Sequence, residues 1–322
     1  MKAVILAGGH ATRLWPVTKD RAKPLLPLGE RPIIDYIVDE MEDFDEVIIS
    51  TNEKFADDFE EYINLSGHDN VRVVVEKQDS EEEKPGTIGA IINILDQEEI
   101  DDDLLIIGGD NYYSFSIQDF VDFSLEKDAP TNVVFDVNDL AKASSFGIVD
   151  TDEDEIVGFE EKPEEPPSTL ASTACYFYPE EQLNLFEKYE EHFRENTDIP
   201  EDQFLDEPGR LLEWAHEQTN MYAYSFDGEW HDVGTPEGYL EAQASVIDEE
   251  IVKGNVDEDS ELNDNVFLMD GSEVKNSDLE NVIVFHNVTI EDCEVKNSII
   301  DNDCEIDDAD LKDAIIGEHT SM

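Results

Sequence analysis

The chain begins MKAVILAGGHATRLWPVTKDRAKPLLPLGERPIIDY over residues 1–36, and this stretch decides how the fold starts. The apolar run at residues 4–7 has the length and character of a buried parallel strand. A glycine pair, Gly8 and Gly9, follows directly, and a glycine backbone can approach a phosphate or a base without interference from a Cβ. The stretch therefore predicts a strand that leads into an anion-binding turn.

Four cationic side chains lie close together in the loop after this turn: Arg13, Lys19, Arg21 and Lys23. Arginine offers a forked donor for phosphate oxygens and lysine offers a point charge. Because the chain has only 20 Lys and Arg among 322 residues, their concentration here indicates an anionic ligand. The alternative is an ordinary turn whose cations pair with surface acids. Neither the phosphate-binding loop that ends in Gly-Lys-Ser/Thr nor the GxGxxG spacing is present.

The chain as a whole is strongly acidic. Its 83 Asp and Glu against 20 Lys and Arg give a formal net charge of −63 at pH 7. That repulsion opposes compaction in dilute buffer, whereas the screening length falls to roughly 3 Å in molar salt. Since 39% of the residues are hydrophobic and the charge is spread along the chain, we interpret the protein as halophilic. An acidic tail or nucleic-acid mimic would hold its charge in blocks, and nucleic-acid binding would need clustered cations.

The cysteines and the N-terminus indicate the compartment. Cys175, Cys293 and Cys304 are an odd number without metal-ligand spacing, which is typical of reduced thiols in a cytosol. Met1 leads directly into the first apolar run, without a signal peptide, and no apolar stretch approaches membrane-spanning length. We therefore expect a cytoplasmic protein with no membrane partner.

Short apolar runs alternate with amphipathic stretches up to about residue 135. This alternation predicts an α/β fold with a doubly wound, mostly parallel, Rossmann-like sheet. The expected strands are residues 4–7, 47–50, 71–75, 104–107 and 133–137, and the expected helices are residues 34–41, 88–95, 183–193 and 236–247. Residues 146–235 are richer in β patterns. The last of these helices closes a first domain, predicted to span residues 1–248.

Residues 255–322 carry an internal repeat. Leu268, Val284, Ile300 and Ile316 recur at intervals of 16 residues, and the steps between neighbouring apolar positions are six, five and five. Such steps fit no face of an α-helix, whereas three short sides per turn fit well. The region therefore predicts a small parallel β-helix, a solenoid similar to left-handed hexapeptide coils. Its free ends need capping or pairing, so we expect a homo-oligomer.

Seven motifs follow one another in order along residues 2–245. After the opening stretch come PGTIGAI at 85–91, GGDN at 108–111, FGIV at 146–149, EEKP at 160–163, STACYFY at 172–178 and WHDVGTPEGYLEA at 230–242. Together they resemble the sugar-1-phosphate nucleotidylyltransferase family, which includes thymidylyl-, uridylyl- and mannose-1-phosphate guanylyltransferases. The ordered series, rather than any one motif, carries the resemblance.

The resemblance implies a site residue by residue. For the nucleotide it implies contacts from Gly8, Gly9, Gln78, Gly86 and Asp110. Among the catalytic residues, Arg13 would bind the departing phosphates and Lys23 would bridge phosphates near the reacting centre. For the sugar phosphate it implies contacts from Gly147, Glu161, Lys162 and Thr173, with Lys162 on the phosphate and also catalytic. The family often has glycine at the position of Ala174, and a further phosphate contact from Arg210 is left open.

Two aspartates, Asp110 and Asp232, are the metal ligands that the resemblance implies, with Mg²⁺ as the cofactor. Carboxylates from two strand ends suit a hard, oxygen-ligated cation. Taken alone, Asp110 could equally be a turn residue and Asp232 a solvated surface acid, and Lys162 could serve only in a salt bridge.

The expected reaction joins a nucleoside triphosphate to a sugar 1-phosphate and releases pyrophosphate. UTP or dTTP and glucose 1-phosphate are the favoured pair, and a mannose-1-phosphate guanylyltransferase is the alternative. A catalytically silent regulatory or sensor subunit would lose the charged residues that are retained here. An acetyl-transferring β-helix, with His286 or His319 as its base, would need more coils than the sequence contains.

The charge generates the first prediction. Dialysis from molar KCl into dilute buffer is expected to unfold the protein, because repulsion among the acids is no longer screened. Circular dichroism across a KCl series measures this, with sucrose at matched osmolality as the control. A stable, cooperatively unfolding protein in dilute buffer would contradict the halophilic interpretation.

Overall fold

The computed structural model describes residues 1–76, 86–197, 199–247 and 251–322. Its strands are β1 Lys2–Leu6, β2 Pro27–Leu28, β3 Arg31–Pro32, β4 Glu46–Thr51, β5 Val71–Val75, β6 Leu104–Gly108, β7 Asn111–Tyr113, β8 Thr131–Asp136, β9 Gly147–Asp152, β10 Glu155–Glu161, β11 Leu170–Tyr178, β12 Tyr222–Ser225, β13 Trp230–Asp232, β14 Ile251–Val252, β15 Asn255–Val256, β16 Glu261–Leu268, β17 Glu273–Lys275, β18 Asp278–Val284, β19 Thr289–Glu291, β20 Glu294–Ile300, β21 Glu305–Asp307, β22 Asp310–Lys312 and β23 Ile315–Ile316. Its helices are α1 Asp35–Val38, α2 Ala56–Ser66, α3 Gly86–Gln97, α4 Ile117–Lys127, α5 Leu140–Ala143, α6 Asn184–Asn196, α7 Glu201–Phe204, α8 Pro208–Ala215 and α9 Pro236–Val246. Among these residues, every helix is too short or too polar to cross a membrane.

The chain divides into two compact units. The first contains Met1–Gly8, Val38–Gly109 and Ser114–Gly228, and the second contains Gly9–Ile37, Asp110–Tyr113 and Glu229–Met322. The second unit thus combines the cation-rich loop with the C-terminal repeats. Domains of residues 1–248 and 255–322 remain a prediction, and residue 248 itself lies outside the described residues.

A nine-stranded sheet forms the centre of the first unit, in the order β5-β4-β1-β6-β11-β8-β12-β10-β9. From β5 to β6 neighbouring strands are parallel, and Val4 pairs with both Ile48 and Ile106. All three side chains are at most 1% exposed, as expected for strands covered on both faces. This part confirms the predicted α/β fold. Beyond β6 the sheet is mixed, because short turns such as the one between β9 and β10 can join only antiparallel strands.

Residues 251–322 of the second unit form stacked turns of parallel strands. Val274 of β17 pairs with Ile290 of β19, which pairs with Ile306 of β21, and the pairs β16–β18 and β18–β20 are likewise parallel. Each turn has three sides, which agrees with the predicted small solenoid. Its left-handedness remains a prediction.

The corners of these turns are residues with positive φ. One column of corners contains Asn281, Asn297 and Asp313, with φ values of 53°, 47° and 53°. Asparagine and aspartate tolerate this left-handed backbone better than other side chains do. The Asn281 amide donates to Asn297 Oδ1 at 3.0 Å, and the Asn297 amide donates to Asp313 Oδ1 at 3.1 Å. Each column therefore joins neighbouring turns by a ladder of side-chain hydrogen bonds.

One side of the turns is apolar on both faces. Val282 and Val284 of β18 point into the turn, whereas Ile283 between them packs outward against a second apolar cluster. Because strand side chains alternate, a fully apolar run such as NVIV means that both faces are covered. The outward cluster includes Leu14 and Leu26 of the cation-rich loop.

This geometry predicts the effect of Asn297→Ala. Alanine lacks both ladder hydrogen bonds and is strained at positive φ, at a cost of about 1–2 kcal/mol for the backbone alone. Denaturant unfolding in molar KCl is expected to show a clearly lower midpoint. Asn297→Gly, which relieves the strain, is the matched control and should lose less; equal losses would exclude backbone strain as the cause.

Candidate active site

Two aspartates of the second unit are held side by side by a short antiparallel ladder. Asp232 on β13 pairs with Asn111 on β7, and the Val233 amide donates to the Asp110 carbonyl at 3.1 Å. Asn111 also donates from its side chain to Asp110 Oδ1 at 2.9 Å and accepts from Trp230 Nε1 at 2.9 Å. The polar contacts of Asn111 therefore orient the Asp110 carboxylate.

The two carboxylates influence each other's ionisation. Burial raises the pKa of Asp232, the neighbouring Asp110 raises it further, and Lys23 and Arg13 only partly oppose this. Burial would also raise the pKa of Asp110, but the Lys23 ammonium, together with hydrogen bonds from the backbone and from Asn111, lowers that pKa overall. Asp232 is surrounded by protein atoms but keeps part of its surface in contact with solvent, which weakens these effects. Two acids so placed favour the binding of a cation.

Two of the predicted cations lie at these carboxylates. Lys23 is buried and forms an ion pair with Asp110. Arg13 is exposed, and a Cβ built on Gly234 would lie 2.9 Å from Asp232 Oδ1 and 3.1 Å from Arg13 Nη2. Arg13, Lys23, Asp110 and Asp232 thus come together within one unit, as positive and negative groups around one small region.

These residues fit a magnesium ion. Mg²⁺ is ordinarily held by one or two carboxylates together with water and substrate phosphates. Among the described residues, no cluster of three or more His, Cys, Asp or Glu forms a complete cage. The paired aspartates, one already neutralised by an ammonium, match the sparse ligand set of Mg²⁺ better than the closed sets typical of structural zinc.

Gly8 of the first unit lies at the carboxyl end of β1. The Gly8 carbonyl accepts from Asn52 Nδ2 at 2.8 Å. The carboxylate of Glu76, directly after β5, approaches Gly8 so closely that a Cβ there would lie 2.3 Å from Glu76 Oε1. Ser50 donates to the same Oε1 at 2.9 Å. Burial raises the pKa of Glu76, and the Ser50 hydrogen bond only partly opposes this.

Gly86 begins α3 with a backbone that requires glycine. Its φ is +72°, and a Cβ would lie 2.5 Å from the Leu205 carbonyl oxygen. Gly9 has open space in the direction of a Cβ. Gln78, predicted to read the base, and Pro85 of the PGTIGAI motif lie outside the described residues.

The predicted sugar-phosphate residues of the first unit form a second group. Glu161 Oε2 lies near Gly147 and Gly209, at 2.9 Å and 2.2 Å from Cβ atoms built on them. Glu161 Oε1 lies 3.2 Å from Lys162 Nζ, and the Lys162 side chain is 65% exposed. The Lys162 ammonium is therefore accessible to a phosphate beside a carboxylate that could accept a sugar hydroxyl.

Two further residues that the sequence singled out form hydrogen bonds within the first unit. Thr173 is fully buried, and its hydroxyl donates to the Val133 carbonyl at 2.9 Å. Arg210 on α8 donates to Glu207 Oε2, at 3.1 Å from Nε. A sugar contact from Thr173 remains a prediction, and it would need atoms other than this hydroxyl hydrogen.

The sequence profile of the nucleotidyl transferase family matches residues 2–249. This chain belongs to the nucleotidyl transferase family. It is 31% identical to a glucose-1-phosphate adenylyltransferase of Bacillus thuringiensis, over 77% of the chain and 68% of that protein. It is 26% identical to the bifunctional protein GlmU of Methanocaldococcus jannaschii, over 84% of the chain but only 61% of that protein's length.

Solved structures also resemble this nucleotidyl transferase. A glucose-1-phosphate thymidylyltransferase from Bacillus anthracis, in complex with sucrose, has a TM-score of 0.64 and 27% identity. The match covers 77% of this chain and 96% of that structure. The enzyme class implied by the seven motifs and the α/β fold predicted from the apolar runs are thereby confirmed at the level of the family.

Three residues at these places were not singled out from the sequence of the transferase: Glu76, Gly209 and Gly234. Gly234 stands inside the WHDVGTP motif and Gly209 inside DEPGR, so the sequence did contain a signal for both. Each is a glycine because a side chain there would lie too close to a carboxylate, that of Asp232 or of Glu161. Glu76 had none, because one acid among 83 does not reveal its burial.

The carboxylate pair generates a mutational prediction. Asp110→Asn and Asp232→Asn are each expected to lower turnover by a factor on the order of 10² or more, because each removes charge needed to hold a cation at the phosphates. Pyrophosphate release in molar KCl measures this, and circular dichroism checks the fold. Glu258→Gln, at an exposed acid of the C-terminal turns, is the control. Near-normal turnover of either aspartate variant would refute the metal role at that position.

Proposed function

We propose that this enzyme transfers a nucleotidyl group from a nucleoside triphosphate to a sugar 1-phosphate in a Mg²⁺-dependent reaction that releases pyrophosphate. The observation that carries the proposal is the grouping of Lys23 and Arg13 with Asp110 and Asp232. In a chain with a net charge of −63, two scarce cations beside two acids support a site for phosphates and a metal.

The chemistry needs charge neutralisation more than proton transfer. A phosphate oxygen of the sugar 1-phosphate, already ionised, attacks the α-phosphorus, and the bond to pyrophosphate breaks. Lys23 and Arg13 would offset the charge of the triphosphate and of the departing pyrophosphate. Asp110 and Asp232 would hold Mg²⁺, which, when bound, neutralises phosphate charge and fixes geometry.

The sugar phosphate would bind through the first unit. The exposed Lys162 ammonium suits its phosphate, and Glu161 suits a hydroxyl of the sugar, because a carboxylate accepts hydrogen bonds strongly. The absence of a side chain at Gly147 and Gly209 gives that carboxylate the space it occupies. The net charge argues against nucleic acid as a partner.

Glucose 1-phosphate is the proposed acceptor, with UTP or dTTP as the proposed donor. The names of the adenylyltransferase and thymidylyltransferase relatives both contain glucose 1-phosphate, which supports the acceptor. They differ in the base, so they do not select the donor.

The carboxyl of Glu76 beside Gly8 is a group that could read the base, and its ionisation would separate a pyrimidine donor from the second candidate donor, GTP. An ionised carboxylate only accepts, which suits the adjacent N1–H and N2–H donors of guanine. A protonated carboxyl both donates and accepts, which suits the N3–H and carbonyl of uracil or thymine. Because the pKa of Glu76 is raised, its neutral form persists to higher pH than that of an ordinary glutamate.

Pyrophosphate release tests the function in molar KCl with Mg²⁺, using ATP, GTP, CTP, UTP and dTTP against glucose 1-phosphate and mannose 1-phosphate. Strong release with UTP or dTTP and glucose 1-phosphate is expected. Absence of release for every pair would refute the enzymatic proposal, and a strong preference for GTP with mannose 1-phosphate would establish the second candidate.

Glu76→Gln, measured in the same assay across pH, separates the two ways of reading a base. If neutral Glu76 reads a pyrimidine, the wild type should lose activity as the pH rises through its raised pKa, and the glutamine variant should keep its activity. If ionised Glu76 reads guanine, the glutamine variant should lose about ten- to hundredfold with GTP. An unchanged base preference and pH profile would place Glu76 outside the base site.

A further inference from the structure

One outward side of the C-terminal turns is covered by the cation-rich loop of the same unit. Phe267, Ile283 and Ile299 of successive turns are at most 1% exposed. They belong to the same apolar cluster as Leu14 and Leu26; Leu14 directly follows Arg13, and Leu26 lies three residues after Lys23. This side of the solenoid is therefore already occupied by the loop.

Two residues further along each turn, a second column contains residues of different chemical character. Met269, Phe285, Asp301 and Gly317 follow one another at the spacing of the repeat. Met269 and Phe285 join the apolar cluster, and a Cβ on Gly317 would lie 2.7 Å from Cγ of Pro16 in the loop. A single acid thus interrupts a column that otherwise packs against the loop.

That acid pairs with a cation of the loop. The Arg21 guanidinium donates from Nη1 to Asp301 Oδ1 at 3.3 Å, and its Cζ lies 5.3 Å from the centre of the Phe285 ring. The Asp301 side chain is 3% exposed and that of Arg21 is 28% exposed. Asp301 Oδ1 also accepts a hydrogen bond from the backbone N–H of Asn302 at 2.8 Å, so the orientation of the carboxylate is fixed.

Such a pair is a weak means of stabilising a fold. Removing a carboxylate from water is costly, and well-packed apolar residues at the same place often give equal or greater stability. What a buried, oriented ion pair can supply is a defined geometry, because a guanidinium and a carboxylate meet in few arrangements. Arg21 stands two residues before Lys23, which contacts Asp110.

We propose that the Arg21–Asp301 pair positions the loop that carries Arg13 and Lys23, so that the C-terminal turns are part of the catalytic apparatus. Arg21 is a positioning residue and does not bind the substrate phosphates. The inference rests on the proposed function only for its activity measurements.

Three variants test the proposal: Asp301→Asn, Arg21→Met and the double variant Arg21→Met/Asp301→Leu. Each is expected to lower kcat by about ten- to hundredfold, since displacement of a catalytic group by about 1 Å has an effect of this size. The KM for the nucleoside triphosphate and the KM for the sugar 1-phosphate should change little. The double variant should recover the unfolding midpoint of the wild type, because no charge is left buried without a partner. Stability restored without activity is the signature of positioning.

The loop itself gives a second measurement. Amide hydrogen exchange of residues 9–37 is expected to accelerate in Asp301→Asn, without a change in β1 or β4. This measurement needs no substrate, so it tests the pair even if the wild type releases no pyrophosphate. Glu30→Gln is the matched control, because Glu30 and Lys253 join the same loop and turns through an exposed pair at 2.6 Å. It should leave kcat and exchange unchanged.

Two results would overturn the proposal. A double variant with wild-type kcat would show that the pair contributes stability alone. A raised KM for one substrate in Arg21→Met, with normal kinetics in Asp301→Asn, would show that Arg21 binds substrate directly.

Discussion

The placement of two aspartates next to each other is the constraint on which the rest of the candidate site depends. Asp110 and Asp232 are far apart in the sequence, yet the β7–β13 ladder makes them neighbours. Like charges held this close need compensation. The buried ammonium of Lys23 and the nearby guanidinium of Arg13 supply part of it, and a bound metal ion would supply the rest. The scarce cations are therefore located where the backbone forces acids together.

Much of the fold could be predicted because burial leaves a strong pattern in the sequence. Apolar runs marked β1, β4, β5, β6 and β8, and the 16-residue repeat marked the C-terminal turns. The corners also had a signal, since Asn and Asp recur at the same interval and tolerate positive φ. The mixed order of the sheet beyond β6 had none, because strand pairing depends on long-range contacts that local patterns do not encode.

The sequence indicated some residues of the candidate site and not others, for a physical reason. Cations in an acidic chain are informative, so composition marked the loop that contains Arg13, Lys19, Arg21 and Lys23, and the family resemblance selected Arg13 and Lys23 from these four. Acids are not informative when 83 are present, so Glu76 and Asp301 could not be distinguished from solvated surface residues. Their significance depends on burial: one lies beside Gly8 and the other beneath Arg21, and only the three-dimensional structure reveals this.

The extreme charge also explains why a buried pair would be used to position the loop. Exposed ion pairs contribute little, and molar salt screens them further. Apolar packing of Phe285 and its neighbours holds the loop firmly, but such contacts are nondirectional and permit small shifts. A guanidinium and a carboxylate that are buried together keep a fixed geometry relative to each other, whereas an ion pair on the surface does not. In concentrated salt, burial is therefore the condition under which a charge can specify position.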